Sequence, residues 1–402
     1  VAFVTWKFPA LSNTFILNEI VEVLRRGMEV AIYSLERSTD PVVHQDVVEH
    51  SLLDRTRYLD DLIPAGREGA GEFARYAEDW LGDRVRALRA VADDLVRTGV
   101  DVVHGCFANN SATVAMLVAQ LARLPFTFEC HAHDLFVDLR YADEKIRAAQ
   151  RVFSISHYNR EFLVDELGCE PGKVVIRRVP ILKQFCDAID RGERERGLVV
   201  SVARLHEIKG FDLSLEAMAR IATAVPFAKF VIVGEGELRG QLEQQCRRLG
   251  LGERVRFAGT MTNQDTLRLV RRASAFLLPS RIGADGDRDG IPTSMIEAMY
   301  LRTPTVSTRV SGIPELVDDG VDGFLVEPED VVALAERLQR LLLDDELRVA
   351  MGERARQKVL AEFDVDRNID VMLTHWRAIC REPVLATPRR GFWSRVRKLI
   401  SG

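Results

Sequence analysis

The stretch Asp289-Gly-Ile-Pro-Thr-Ser-Met-Ile-Glu297 sets a carboxylate on each side of what reads as the start of a helix. Two acids beside a turn suit hydroxyls, because each can accept bidentate bonds from a ribose or sugar diol. Pro292 fits an early helical position, and the backbone of Gly290, Ile291, Pro292 and Thr293 then offers free amides to an anionic oxygen. The same letters also fit a capping box, with Ser294 on a terminal amide and Glu297 reaching back to it. This stretch alone leaves both readings open.

Three other segments carry polar groups at strand ends. In "SVARLHEIKGFD", Arg204 and Lys209 bracket a turn between a β-branched run and a helical one, a placement suited to a diphosphate. In "VGEGELRGQLE" the glycines are Gly234, Gly236 and Gly240. The third comes one residue late for a dinucleotide fingerprint, and Glu235 and Glu237 would repel a pyrophosphate. A tight turn that admits a ligand or another loop is the expectation there. In "CHAHD", His131 stands at a strand end with His133 and Asp134 beside it, either as a site histidine or as a buried, hydrogen-bonded one. The "DGD" at 285–287 precedes the helix start and reads as a solvated turn rather than a metal motif.

These residues need strands to position them, and short β-branched runs recur between helix-length amphipathic segments. The first half has runs at 1–5, 29–35, 101–107, 125–130, 151–156 and 173–179. The second has them at 198–205, 229–235, 254–259, 274–280 and 303–309. Strand and helix in alternation predict parallel sheets covered on both faces. Two doubly wound α/β domains are expected, at 1–188 and 198–380, with a polar linker at 189–197 and a tail at 381–402. Such a pair leaves a central cleft between two sets of strand ends, a geometry for two substrates.

The length of 402 residues agrees with two domains, and 47% apolar with 29% charged residues describes a soluble globular chain. A net charge of −5 argues against nucleic acid as a partner. The six cysteines contain no C-x-x-C pair, so neither zinc nor a disulfide framework is expected. No apolar run approaches a membrane span. The chain opens at Val1 in a strand-like run without an initiator Met, so residues are expected ahead of it.

Taken in order, Arg204 with Lys209, "VGEGELRGQLE", "FAGTMT", "DGIPTSMIEAM" and "STRVSGIPELV" resemble the donor-binding half of the retaining GT-B glycosyltransferases of family 4. The first half resembles that family's exopolysaccharide and lipid-linked oligosaccharide branch, through "FPALSNTFILNEI", the segment from His104 to Phe136, and "FSISHYNREFL". The resemblance implies a GT-B fold, a metal-independent retaining transfer, and a nucleotide-sugar donor, UDP- or GDP-linked, with no further cofactor. It implies that Glu297 holds the ribose and that Asp289, where the family has Glu, faces the donor sugar. Arg204 and Lys209 correspond to the diphosphate-stabilising pair, and His131 to the histidine near sugar and acceptor. The backbone around Thr260 and Met261 would read the base edge. Ser12-Asn13, placed with His133 and Asp134 on the acceptor side, stand where many relatives carry a glycine pair near the donor phosphates, so that contact would differ.

The leading expectation is therefore a glycosyltransferase acting on a glycan or lipid-linked acceptor. The rivals are a silent glycan- or nucleotide-binding subunit, which the Asp289 substitution keeps in view, and an epimerase or phosphorylase of similar shape. From Arg389 to Gly402 the cations Arg389, Arg390, Arg395, Arg397 and Lys398 accompany Phe392, Trp393, Val396 and Leu399. This segment reads either as an anchor to an anionic membrane surface or as a loose terminus. The chain is expected to be cytoplasmic and, with an anchor, peripheral at the inner face of the cell membrane.

Overall fold

A computed structural model describes residues 1–10, 14–39, 44–63, 76, 80–190 and 192–381. Among these residues two compact units emerge. The first comprises Val1–Ser154, Arg160–Arg177 and the chain from Ile369 onward; the second comprises Ile155–Asn159 and Arg178–Asn368. The division falls at Arg177/Arg178, ahead of the boundary at 188 expected from composition, and the end of the chain returns to the first unit.

The first unit holds β1 (Ala2–Phe8), β2 (Ala31–Arg37), β3 (Thr56–Tyr58), β4 (Val103–Gly105), β5 (Phe126–Cys130), β6 (Arg151–Ser154) and β7 (Val174–Ile176). They form a parallel sheet in the order β3-β2-β1-β4-β5-β6-β7. In register, Ala2 stands between Ala31 and Val103. The helix Asn110–Ala122 is apolar almost all round and is buried along most of its length, as a helix covered on every side must be. The last described helix, Val365–Ile379, brings the buried Trp376 onto this sheet, where its indole donates to Thr127 at 3.1 Å and meets the Phe3 ring edge-on at 5.7 Å.

The second unit holds β8 (Leu198–Val202), β9 (Lys229–Val233), β10 (Val255–Gly259), β11 (Ala275–Leu278), β12 (Thr305–Thr308) and β13 (Gly323–Val326). Their order is β10-β9-β8-β11-β12-β13, again parallel. Each sheet therefore changes direction of winding once, beside β1 and beside β8. Ligands of open parallel sheets bind outside the carboxyl ends of the strands at such a switch point. Two strands absent from the sequence reading, β3 and β13, are edge strands of three and four residues. Among the described residues no helix is long and apolar enough to cross a membrane.

The charged segment at 189–197 exposes Asp190, Gly192, Glu193 and Arg196, but its Arg194 is tied into the second unit. Arg194 donates to the carbonyls of Arg271 (3.2 Å), Ala273 (2.6 Å) and Leu301 (3.1 Å) and to the Thr303 hydroxyl (3.0 Å), closing two helix ends of the second unit. Five guanidinium donors suit a cluster of helix-terminal carbonyls, which have no partner within their own helices.

The glycines after β9 serve a close approach between loops. Gly234 has φ +135°, and a Cβ there would lie 2.0 Å from the Ala203 carbonyl oxygen; a Cβ on Gly236 would lie 2.3 Å from that of Leu205. The Leu205 amide bonds the Glu235 carbonyl at 2.9 Å, so the strand-end segment carrying Arg204 is clasped by the glycine turn. Of the two roles expected for this turn, the observed one is the admission of another loop. A Cβ on Gly240, inside the helix Arg239–Arg248, would meet nothing within 4 Å. Gly234→Ala is accordingly expected to cost about 2 kcal/mol or more in chemical denaturation, whereas Gly240→Ala should be neutral or stabilising by up to about 1 kcal/mol.

Candidate functional site

In the second unit the predicted residues gather at the carboxyl ends of β8 and β11. Arg204 is exposed and its guanidinium makes no hydrogen bond or ion pair with any described residue. Lys209 closes the short turn Glu207–Lys209 and is half-buried. The following Gly210, at φ +62°, lies so near β11 that a Cβ would sit 2.0 Å from the Pro279 carbonyl oxygen. That contact, with the Arg281 amide on the Ile208 carbonyl at 2.9 Å, fixes the lysine turn against the segment after β11.

Asp289 lies in that segment, buried at 6% exposure, and both its oxygens are engaged. Lys209 donates to Oδ1, and the Ser280 hydroxyl donates to Oδ2 at 2.6 Å. The turn before it differs from expectation: Asp285 is exposed, but Asp287 is buried and accepts from the Arg288 amide at 2.9 Å, so "DGD" is not a fully solvated loop. Gly290, Ile291 and Pro292 are buried, and the helix runs Thr293–Tyr300 with Pro292 as its cap. No side chain caps this helix. The capping-box reading is thereby excluded, since Ser294 lies inside the first turn and Glu297 is more than a turn into the helix.

Glu297 is half-buried, and its carboxyl has no hydrogen bond or ion pair with any described residue. Desolvation alone pushes its pKa up to about 7. A half-buried acceptor with no partner among the described residues is one that a ligand hydroxyl can meet. The two acids of the opening motif therefore differ in kind: one is tied to a lysine, the other is open.

After β10, Thr260 is exposed and Met261 is half-buried against the core. The turn at 310–317 packs on the acid loop, since a Cβ on Gly312 would lie 2.8 Å from Ile291 and 3.3 Å from the Gly290 carbonyl. Glu315 accepts from the amides of His157 and Tyr158, both at 2.9 Å, and from Arg178. It thereby attaches the segment Ile155–Asn159 to this unit. Of the glutamates of the glycine turn, Glu235 is ion-paired with Arg239, and Glu237 lies 3.5 Å from His206 Nε2.

In the first unit His131 follows β5 and lies between the Phe15 and Phe107 rings, at 4.8 and 5.0 Å. Its Nε2 is 3.4 Å from Glu129 Oε1. Burial works to lower the imidazole pKa, but the Glu129 carboxylate, its hydrogen bond and Asp134 outweigh it and hold the group above its ordinary value. Asp134, expected on the acceptor side, is buried and accepts from the amides of Ala108 (2.7 Å), His131 (3.0 Å) and Ala132 (3.0 Å). Its role is to hold two loops together, and only His133 of that pair is exposed. Ser12, Asn13 and the basic segment 389–402 lie outside the described residues.

Sequence reasoning missed what stands behind His131. Arg177 donates to Glu129 at 3.0 Å and is ion-paired with Glu19, all three fully buried. Each interrupts an apolar run: Glu19 among Leu17, Ile20 and Val21, Glu129 between Phe128 and Cys130, and Arg177 after Ile176. That interruption was the available signal.

Residues 189–358 match the family model described as glycosyl transferases group 1. A colanic acid biosynthesis glycosyltransferase by name, from Escherichia coli K12, is 29% identical over 392 residues, covering 90% of this chain and 96% of the relative. A second Escherichia coli relative, named UDP-Gal:alpha-D-GlcNAc-diphosphoundecaprenol alpha-1,3-galactosyltransferase, is 26% identical over 310 residues, covering 71% of this chain and 77% of its own length. Among solved structures, Anabaena Alr3699/HepE in complex with UDP superposes with a TM-score of 0.72 at 16% identity, over 94% of this chain and 99% of that one. Two parallel sheets with strand order reversing at β1 and β8, and a matched domain that contains Arg204, Lys209, Asp289 and Glu297, lead to one conclusion: residues 189–358 are a glycosyl transferases group 1 domain, in a chain of the GT-B fold.

Proposed function

We propose that the chain is a retaining, metal-independent glycosyltransferase that moves a sugar from a UDP-sugar to a hydroxyl of a glycan or lipid-linked acceptor, in the assembly of an exopolysaccharide or lipid-linked glycan. The observation that carries this reading is the contrast at the β8/β11 switch point: a guanidinium at Arg204 without a partner among the described residues, a lysine at Lys209, and a half-buried carboxyl at Glu297 that likewise has no partner among them. Glu297 accepts from the ribose hydroxyls. Arg204 and Lys209 neutralise the charge that grows on the departing diphosphate, a task that forked and point cations perform without a metal. The bond from the anomeric carbon to phosphate breaks as the acceptor oxygen bonds on the same face, and the acceptor proton passes to the leaving phosphate oxygen. His131 serves the acceptor side. UDP is favoured over GDP by the donor in the galactosyltransferase relative's name and by the UDP complex of the structural relative. The basic segment 389–402 would bring the chain to an anionic bilayer surface carrying a lipid-linked acceptor.

The test is incubation of the purified chain with UDP- and GDP-sugars in EDTA, without acceptor. Slow release of free sugar, greatest from a UDP-sugar, is expected. Strict dependence on added manganese or magnesium would contradict the metal-free mechanism, and no hydrolysis with no thermal shift by any nucleotide would remove the enzyme reading.

Glu297 gives a second prediction with two opposite pH signs. Its folded pKa lies above the ordinary 4.5, so its contribution to stability is greatest in acid and declines as pH rises from 4.5 to about 7. Donor affinity should run the other way, rising through about pH 7 as the carboxylate becomes the stronger acceptor. Glu297→Gln should weaken UDP binding by calorimetry, abolish this rise, and leave the melting temperature near wild type.

A further inference from the structure

Beneath His131 lies a set of charges that the transfer chemistry does not itself require. Glu19 from the helix Thr14–Arg25 and Glu129 from β5 enclose the Arg177 guanidinium, each side chain 1% exposed. His104 on β4 is fully buried, with Nδ1 2.9 Å from the Thr127 hydroxyl and Nε2 4.0 Å from Glu19. Glu19, His104 and Glu129 are close enough to offer three ligand atoms to a metal ion, but Arg177 bonds both carboxylates and already supplies the cation.

Two carboxylates against one guanidinium leave one negative charge in a site closed to water. An uncompensated charge there is costly, and it is relieved by a proton on one of the carboxyls or by a second positive charge within contact distance. His104 does not supply it, since burial pushes that imidazole down to about 3. Lys145 does not either: its ammonium is bound to the Ala108 and Asn109 carbonyls and faces Asp134. The remaining group is His131, with Nε2 3.4 Å from the Glu129 oxygen that Arg177 does not hold. Among the described residues, the other groups placed against His131 are the Phe15 and Phe107 rings, the Cys106 backbone and the Asp134 carboxylate, and these are not cationic.

We propose that Glu129 is a positioning residue which, braced by Arg177 and Glu19, holds His131 in its imidazolium form, so that this histidine works as a fixed cation and hydrogen-bond donor and not as a general base. What it donates to rests on the transferase reading; its protonation does not. Desolvation raises Glu129 as well, so the pair competes for one proton, and Arg177 at 3.0 Å from Glu129 favours its residence on the ring. A retaining transfer in which the leaving phosphate takes the acceptor proton has no need of a base at this place.

The experiment is a histidine NMR titration of the full chain, with the His131 signal assigned by its loss in His131→Gln. His131 should titrate above its ordinary 6.5 in the wild type and move below it in Glu129→Gln, where burial is no longer opposed. Glu129→Asp should restore part of the shift. In turnover, the alkaline limb of the kcat profile should move to lower pH in Glu129→Gln. A wild-type His131 titrating at or below 6.5, or one unmoved by Glu129→Gln, overturns the proposal. If Glu129→Gln does not fold, the wild-type titration decides alone. A raised His131 in a chain without transferase activity would uphold this inference while removing the functional one.

Discussion

The second unit's site depends on one ion pair, the half-buried Lys209 with the buried Asp289, completed by the Ser280 hydroxyl. The lysine comes from the turn after β8 and the acid from the loop after β11, so the pair joins the two strands that flank the switch point. Breaking it would leave a carboxylate buried and half satisfied, which the interior tolerates poorly. The pair therefore sets where the helix Thr293–Tyr300 begins, and with it where Glu297 points. An aspartate at 289 has a short reach, and in this chain that reach ends on Lys209 and Ser280.

The first unit solves a related problem with more charge and less exposure. Its four-member series Glu19, Arg177, Glu129 and His131 crosses from a helix through the sheet to a strand end. Both units place a histidine or lysine at the carboxyl end of a parallel strand and hold it by a carboxylate that water does not reach. In each case the acid restrains the basic side chain that it contacts.

Much of this was legible in the sequence where the signal is local. The β-branched runs marked the longer strands, and the placement of Arg204, Lys209 and Glu297 beside turns between strand and helix was readable from a few residues. β3 and β13 were missed because three- and four-residue edge strands have too little apolar pattern. The roles of Asp289, Asp134 and Arg194 depend on partners distant in sequence: Lys209 lies 80 residues from Asp289, and Arg194 reaches carbonyls more than 70 residues away. Composition marked 189–197 as a linker because charge was the only local cue; the helix-end carbonyls that bind its arginine are invisible until the fold brings them together. Asp134 looked like a site acid for the same reason, though three backbone amides hold it.

The return of the chain to the first unit has a consequence for synthesis. The second unit is essentially continuous from Arg178 to Asn368, but the first lacks its last helix, and Trp376 with it, until those residues have been made. On the ribosome the first sheet therefore emerges early with part of one face uncovered, next to His104 and Phe153, which the indole later meets edge-on. The second unit has all its residues before the first is closed. Order of emergence and order of completion are reversed, and the half that appears first must wait, partly open, for the half that appears second.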